Sequence, residues 1–151
     1  MTTHLHRAFT HAHLVPADPD AVFPLLCPVR EYEWIPTWEC TLVHTRSGVA
    51  EHGCVFTTTF DIGEETWVCT TYHPPTAIEY TRVAQRGWVT MLGLVLEPTE
   101  AGTALTVRQT FTALSPEGER AVAAMDETAE VEAWEHLCTL AGAHLAGTRT
   151  T

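Results

Sequence analysis

The chain has 151 residues, of which 45% are hydrophobic and 18% charged, so neither a disordered nor a membrane-embedded chain is the starting expectation. With 8 basic against 19 acidic residues its formal charge is -11, which repels phosphate backbones and anionic headgroups and excludes nucleic acid as an expected partner. The cysteines, Cys27, Cys40, Cys54, Cys69 and Cys138, are odd in number and contain no C-x-x-C pair, which points to reduced thiols in the cytoplasm.

Residues Arg7 to Val15 suit a first strand, stopped by Pro16; Asp18 and Pro19 then read as the cap and first position of a short helix. Pro24 and Pro28 keep it short, and a second short helical segment follows from Val29 to Trp34. Six runs rich in Thr, Val, Phe, Tyr and Trp come next: Trp38 to Arg46, Cys54 to Asp61, Thr66 to Tyr72, Ala77 to Val83, Trp88 to Glu97 and Thr103 to Ala113. Turn signals separate them at hairpin intervals, from Ser47-Gly48 to Ala101-Gly102, so an antiparallel meander of about seven strands is expected. After Ser115-Pro116 no proline occurs, and Val122, Met125, Ala129, Ala133, Leu137, Leu140 and His144 share one face of a long closing helix. Glu119, Asp126, Glu127, Glu130 and Glu135 read as its solvated side. No apolar stretch approaches bilayer length, Met1 to Arg7 carries no signal-peptide pattern, and no linker divides the chain, so one domain over 1–151 is expected.

This order of elements resembles the SRPBCC superfamily, the START-related and birch-pollen-allergen-like group that includes polyketide cyclases and lipid-transfer proteins. The residues that carry the resemblance are Pro16 to Phe23 after the first strand, the hairpin at Pro74-Pro75, the Gly102-Thr103 turn, and the helix after Leu114-Ser115-Pro116-Glu117-Gly118. The segments Cys27 to Trp38 and Ser47 to Glu51 are similar to a bacterial branch of the same superfamily. The resemblance implies an α+β helix-grip fold, a curved antiparallel sheet around a long C-terminal helix with an apolar pocket between them. It implies function only as a class.

Strand alternation supplies a list of inward residues: Phe56, Thr58 and Phe60; Ile78, Tyr80 and Arg82; Leu105, Val107, Gln109 and Phe111. Thr58, Tyr80, Arg82 and Gln109 are polar on an apolar face, which suits a pocket with a few orienting groups. The alternatives are that Arg82 reaches solvent and that Gln109 bonds backbone. Trp34, Trp38, Phe56, Phe60, Trp67 and Met125 complete the candidate ligand contacts, although the strands holding Trp67 and Trp88 are apolar at both parities and do not reveal their faces.

Glu31 and Glu33 do not share a helix face, so at most one points inward. An inward Glu33 beside Trp34 and Trp38 would have a raised pKa, and Glu33, Tyr80 and Arg82 are the candidate catalytic group; the alternative, and the expected one, is that Arg30 and the glutamates form surface ion pairs. Arg82→Ala is expected to leave folding largely intact while weakening a ligand that bears an acidic or carbonyl group.

His11 with His13, and Glu132 with His136, are two-ligand fragments without a motif, and no metal or cofactor is expected. No nucleophile elbow or phosphate loop occurs. The expected function is binding of a small hydrophobic ligand, a lipid, polyketide or aromatic metabolite, with homodimer formation left open. The alternatives are a polyketide cyclase or aromatase-type enzyme and a co-chaperone-like interaction domain.

Overall fold

The structure is a computed structural model that describes residues 4–148. Strand β1 (His6–Val15) leads into helix α1 (Pro19–Val22), a 3-10 turn (Phe23–Leu26) and a second 3-10 turn (Arg30–Glu33). Then come β2 (Thr41–His44), β3 (Val55–Phe60), β4 (Gly63–His73), β5 (Ala77–Ala84), β6 (Trp88–Thr99) and β7 (Gly102–Ala113), followed by α2 (Pro116–Ala124) and α3 (Glu127–Thr148). All seven strands join one sheet in the order β1-β7-β6-β5-β4-β3-β2. Every neighbouring pair is antiparallel, as the hairpin-length intervals require.

The alternation expected from the sequence is visible in β7, where Thr103, Leu105, Val107, Gln109, Phe111 and Ala113 are buried in turn. It also resolves the two ambiguous strands: Glu65, Trp67 and Cys69 are buried along β4, and Trp88, Thr90, Leu92, Leu94 and Leu96 along β6. The larger apolar cluster fills the space between sheet, 3-10 turns and α3. A smaller one under α2 gathers Phe9, Trp88, Phe111 and Val122.

Two elements differ from expectation. The strand expected over Trp38 to Arg46 shrinks to Thr41–His44, because its two ends have other partners. Trp38 turns into the core and donates its indole N–H to Pro28 O at 2.8 Å. On the other side Glu51 accepts from the amides of Arg46 at 3.0 Å and Ser47 at 2.7 Å and from the Thr45 hydroxyl, which closes a loop. Those hydrogen bonds, the Ser47 contribution first, hold the Glu51 carboxyl down at about 2.

The closing helix is the second difference: it breaks at Met125, which is extended at φ -64° and ψ 131°. Arg7 on β1 supplies the cause, donating to the carbonyls of Val122 at 2.9 Å and Met125 at 2.7 Å and so capping α2 with a cation. Asp126 then starts α3 by accepting from the Thr128 amide at 3.0 Å.

Ser115 caps α2 by accepting from the Gly118 amide at 3.0 Å, as its position predicts. Gly118 sits so close to the turn at Gly87 that a Cβ would overlap the Gly87 carbonyl oxygen. Gly118→Ala is therefore expected to destabilise the protein by about 1–3 kcal/mol, because the turn between β5 and β6 must shift. Chemical denaturation checks this, and an unchanged midpoint would show that the turn yields freely.

Candidate functional site

Between the sheet and α3 lies a cavity of about 350 Å³, within the range of small-molecule sites. The 3-10 turns contribute Leu26, Glu31, Trp34 and Ile35, and Trp38 follows on the connection to β2. The sheet contributes Phe60, Trp67, Tyr80, Arg82, Leu92, Leu94 and Gln109, and α3 closes the cavity with Glu130, Ala133, Trp134 and Leu137.

The aromatic side is tightly interlocked. Trp38 meets Trp67 edge-on at 6.1 Å and Phe60 at 5.8 Å, while Phe56 stacks on Trp67 at 5.1 Å. Such arrangements match the ring quadrupoles. Trp67 also carries the Arg82 guanidinium over its face at 3.9 Å from the ring centroid.

Arg82 is held by an ion pair. Its Nη2 donates to Glu65 Oε1 at 2.5 Å; the Glu65 side chain is 0% exposed and that of Arg82 18% exposed. The two residues share the inner face because Trp67 pairs with Arg82, and Glu65 with Ala84, in the β4–β5 ladder. Arg82 thus has a resident counter-ion, and its replacement would leave the Glu65 carboxylate without one.

Of the two glutamates on the second 3-10 turn, Glu31 lines the cavity and Glu33 does not. Glu33 lies at the surface, where its carboxylate accepts from Arg30 at 2.6 Å and lies 3.6 Å from the His144 ring. The 3-10 geometry explains the exchange: with three residues per turn, Glu31 falls below the buried Trp34 and Glu33 on another face. Burial pushes the Glu31 acid up to about 8, and the Arg82 charge opposes the shift only in part.

The remaining polar members have partners inside the protein. Tyr80 donates its hydroxyl proton to Leu26 O at 2.7 Å, and burial raises its pKa well above the ordinary value. Gln109, 3% exposed, donates from Nε2 to Glu130 Oε2 at 3.2 Å.

Of the candidate ligand contacts, Trp34, Trp38, Phe60, Trp67, Tyr80, Arg82 and Gln109 are on the cavity wall. Three are not. Phe56 stands behind Trp67, and Thr58 is taken by the Trp67 indole, whose Nε1 donates to its hydroxyl at 2.9 Å. Met125 belongs to the smaller apolar cluster at the end of α2, because the helix breaks there. Glu31, Glu65, Glu130 and Trp134 were not among the candidates.

Among the described residues no three His, Cys, Asp or Glu side chains gather as a metal set. His11 and His13 bond one another through Nδ1 and Nε2 at 2.7 Å, and Glu132 and His136 are exposed on α3. All five cysteines are free; Cys27 and Cys69 are buried in the larger apolar cluster. Among the described residues no helix is long and apolar enough to cross a membrane.

No family model and no curated protein matches the chain. Solved structures do. A Mesorhizobium loti protein superposes with a TM-score of 0.66 at 18% identity, covering 94% of this chain and 98% of its own. A Nitrosomonas europaea protein gives 0.66 at 15% identity, with 95% and 97% covered. Norcoclaurine synthase from Thalictrum flavum gives 0.67 at 13% identity, with 89% and 85% covered. Identities this low speak for architecture alone, and on architecture they agree with the sheet order and closing helix described above: the chain has the α+β helix-grip fold.

Proposed function

We propose that the chain binds a small hydrophobic molecule in the cavity between the sheet and α3. The observation that carries this reading is the cavity itself: about 350 Å³ left open between the sheet and α3 beside Trp34, Trp38, Trp67 and Trp134. The Trp rings and Leu92, Leu94 and Leu137 would desolvate the body of the ligand, contributing about 25 cal/mol per Å² of apolar surface removed from water. The polar edge formed by Glu31, Arg82 and Gln109 would set its orientation. The free cysteines support a reducing compartment such as the cytoplasm.

A second reading, a cyclase or aromatase-type enzyme, has one observation in its favour. Glu31, with a pKa of about 8, is poised to give or take a proton near neutrality, facing a guanidinium that stabilises negative charge. In that reading Glu31 takes the role first considered for Glu33. Tyr80 would position rather than transfer protons, since its hydroxyl is committed to Leu26.

Binding is tested with N-phenyl-1-naphthylamine, whose fluorescence rises in apolar surroundings. Ala133 borders the cavity from α3 but is otherwise exposed, so Ala133→Trp places an indole across the mouth without disturbing the core. The parent is expected to bind the probe and the variant to lose about tenfold in affinity or more, equivalent to 1.4 kcal/mol. A variant that folds and binds like the parent would locate binding elsewhere.

A further inference from the structure

Four aromatic hydrogen-bond donors on the sheet side and the 3-10 turns of the cavity are committed to the protein itself. Trp34 Nε1 donates to Leu25 O at 2.9 Å, Trp38 Nε1 to Pro28 O at 2.8 Å, Trp67 Nε1 to Thr58 Oγ1 at 2.9 Å and the Tyr80 hydroxyl to Leu26 O at 2.7 Å. Among the fully buried side-chain atoms at the cavity that lack a partner, acceptors outnumber donors. Gln109 Oε1 and Glu65 Oε2 are buried without a partner, as is one donor, Arg82 Nε. The direction of the Gln109 amide is set by Glu130, since only the NH₂ end is attracted to a carboxylate; the carbonyl end is the one left unbonded.

Charge points the same way. Glu65, behind the wall, already neutralises the single guanidinium of Arg82, which leaves Glu130 on the wall beside Glu31, whose acid keeps its proton until a cation approaches. A buried acceptor without a donor costs about 1–3 kcal/mol, so the molecule that relieves it must bring its own N–H or O–H. An ammonium brings three donors together with a positive charge, and the rings of Trp34 and Trp38 attract cations; the Trp67 ring is already taken by Arg82 and Phe56.

Resting on the reading of this cavity as a ligand site, we propose that its ligand is an organic cation: a flat apolar body carrying a protonated amine, with N–H groups directed to Gln109 Oε1 and to the carboxylates of Glu130 and Glu31. The desolvation that keeps a proton on Glu31 supports this, because an ammionium beside that carboxyl replaces the charge of the proton. A carboxylate ligand would meet two carboxyls and an arginine that already has its counter-ion.

The test is titration calorimetry of the full chain with three probes of one shape: naphthalen-2-ylmethanamine, naphthalen-2-ylmethanol and naphthalene-2-carboxylate. The amine is expected to bind about tenfold more tightly than the alcohol, and the carboxylate most weakly, as a charge-assisted hydrogen bond implies. Gln109→Leu and Glu130→Gln are each expected to weaken the amine about tenfold and the alcohol by less than about threefold, the retained alcohol binding showing that the cavity is intact. Alcohol or carboxylate binding as tight as the amine, or equal loss of amine and alcohol in both variants, overturns the cation assignment and leaves the cavity a site for neutral or acidic ligands. Failure of all three probes also overturns it, and if N-phenyl-1-naphthylamine is unbound as well, the reading of the cavity as a ligand site falls with it.

Discussion

Arg82→Ala is expected to destabilise the protein by about 3–5 kcal/mol at neutral pH, the effect of removing one partner from a buried ion pair. Glu65 is fully enclosed, its Oε2 has no hydrogen-bond partner, and its Oε1 is held by Arg82, so alanine at 82 leaves a carboxylate with neither water nor counter-ion. In a chain of this length that corresponds to a fall in Tm of roughly 10 °C. The double variant Arg82→Met with Glu65→Leu is expected to recover most of the loss, because replacing both charges by apolar side chains of similar volume removes the desolvation cost together with the attraction. Urea denaturation of the two single variants and the double variant forms the necessary cycle. Additive losses would show that the two side chains act independently and that the pair is not what holds this side of the cavity.

Glu31→Gln is expected to flatten the dependence of stability on pH. The folded-state acid titrates near 8 against an ordinary value of 4.5, so between those limits the folded protein binds a proton that the unfolded chain has released. Its contribution is intact below pH 4.5 and is lost as pH rises to 8, at up to about 1.4 kcal/mol per unit. Glu31 is not fully enclosed, and solvent screening reduces the total to about 2–3 kcal/mol, or roughly 5–10 °C in Tm. Relative to the parent, the glutamine variant should therefore gain stability steadily from pH 5 to pH 8.5, other titrating groups cancelling between the two proteins. Parallel melting curves across that range would place the Glu31 carboxyl in water rather than against the cavity.

A carboxyl buried against the cavity at such a cost is a candidate functional position, since perturbed acids gather where chemistry or recognition needs them. Fold alone does not carry that argument. Norcoclaurine synthase shows that the helix-grip architecture can host an enzyme, yet at 13% identity its residues say nothing about those of this chain.

The strand order was legible because the chain marks its turns so clearly. Gly48, Gly53, Gly63, Gly87 and Gly102 all adopt positive φ in the structure, and each had been visible as a turn dipeptide. The break between α2 and α3 was hidden because Met125-Asp126 contains neither glycine nor proline. It depends on Arg7, more than a hundred residues away in sequence, reaching the last carbonyls of α2. Long-range side-chain capping of this kind leaves no local pattern.

The cavity was legible in part for the same reason. Tyr80, Arg82 and Gln109 stood out as polar residues at inward parity, and all three line it. Glu65 has the parity of Trp67 and Cys69 but fell outside a strand expected to begin at Thr66; the strand starts at Gly63. Glu130 looked like one more member of an acidic run, although Trp134 and Leu137 continue its face at spacings of four and three. Glu31 could have been found from Trp34, one 3-10 turn later, whose large apolar ring had to be buried. The surface was also less uniform than the charge suggested. The short edge strand β2 exposes Leu42 and Val43, which no sequence pattern had singled out.

Native mass spectrometry of the protein purified without detergent, followed by organic extraction, tests the ligand cavity most directly. A small apolar molecule held at one per chain, and lost in Ala133→Trp, is the expected result, and a basic nitrogen in it would extend the agreement to the proposed organic cation. An empty protein that also leaves N-phenyl-1-naphthylamine unbound would contradict the assignment of this cavity as a binding site.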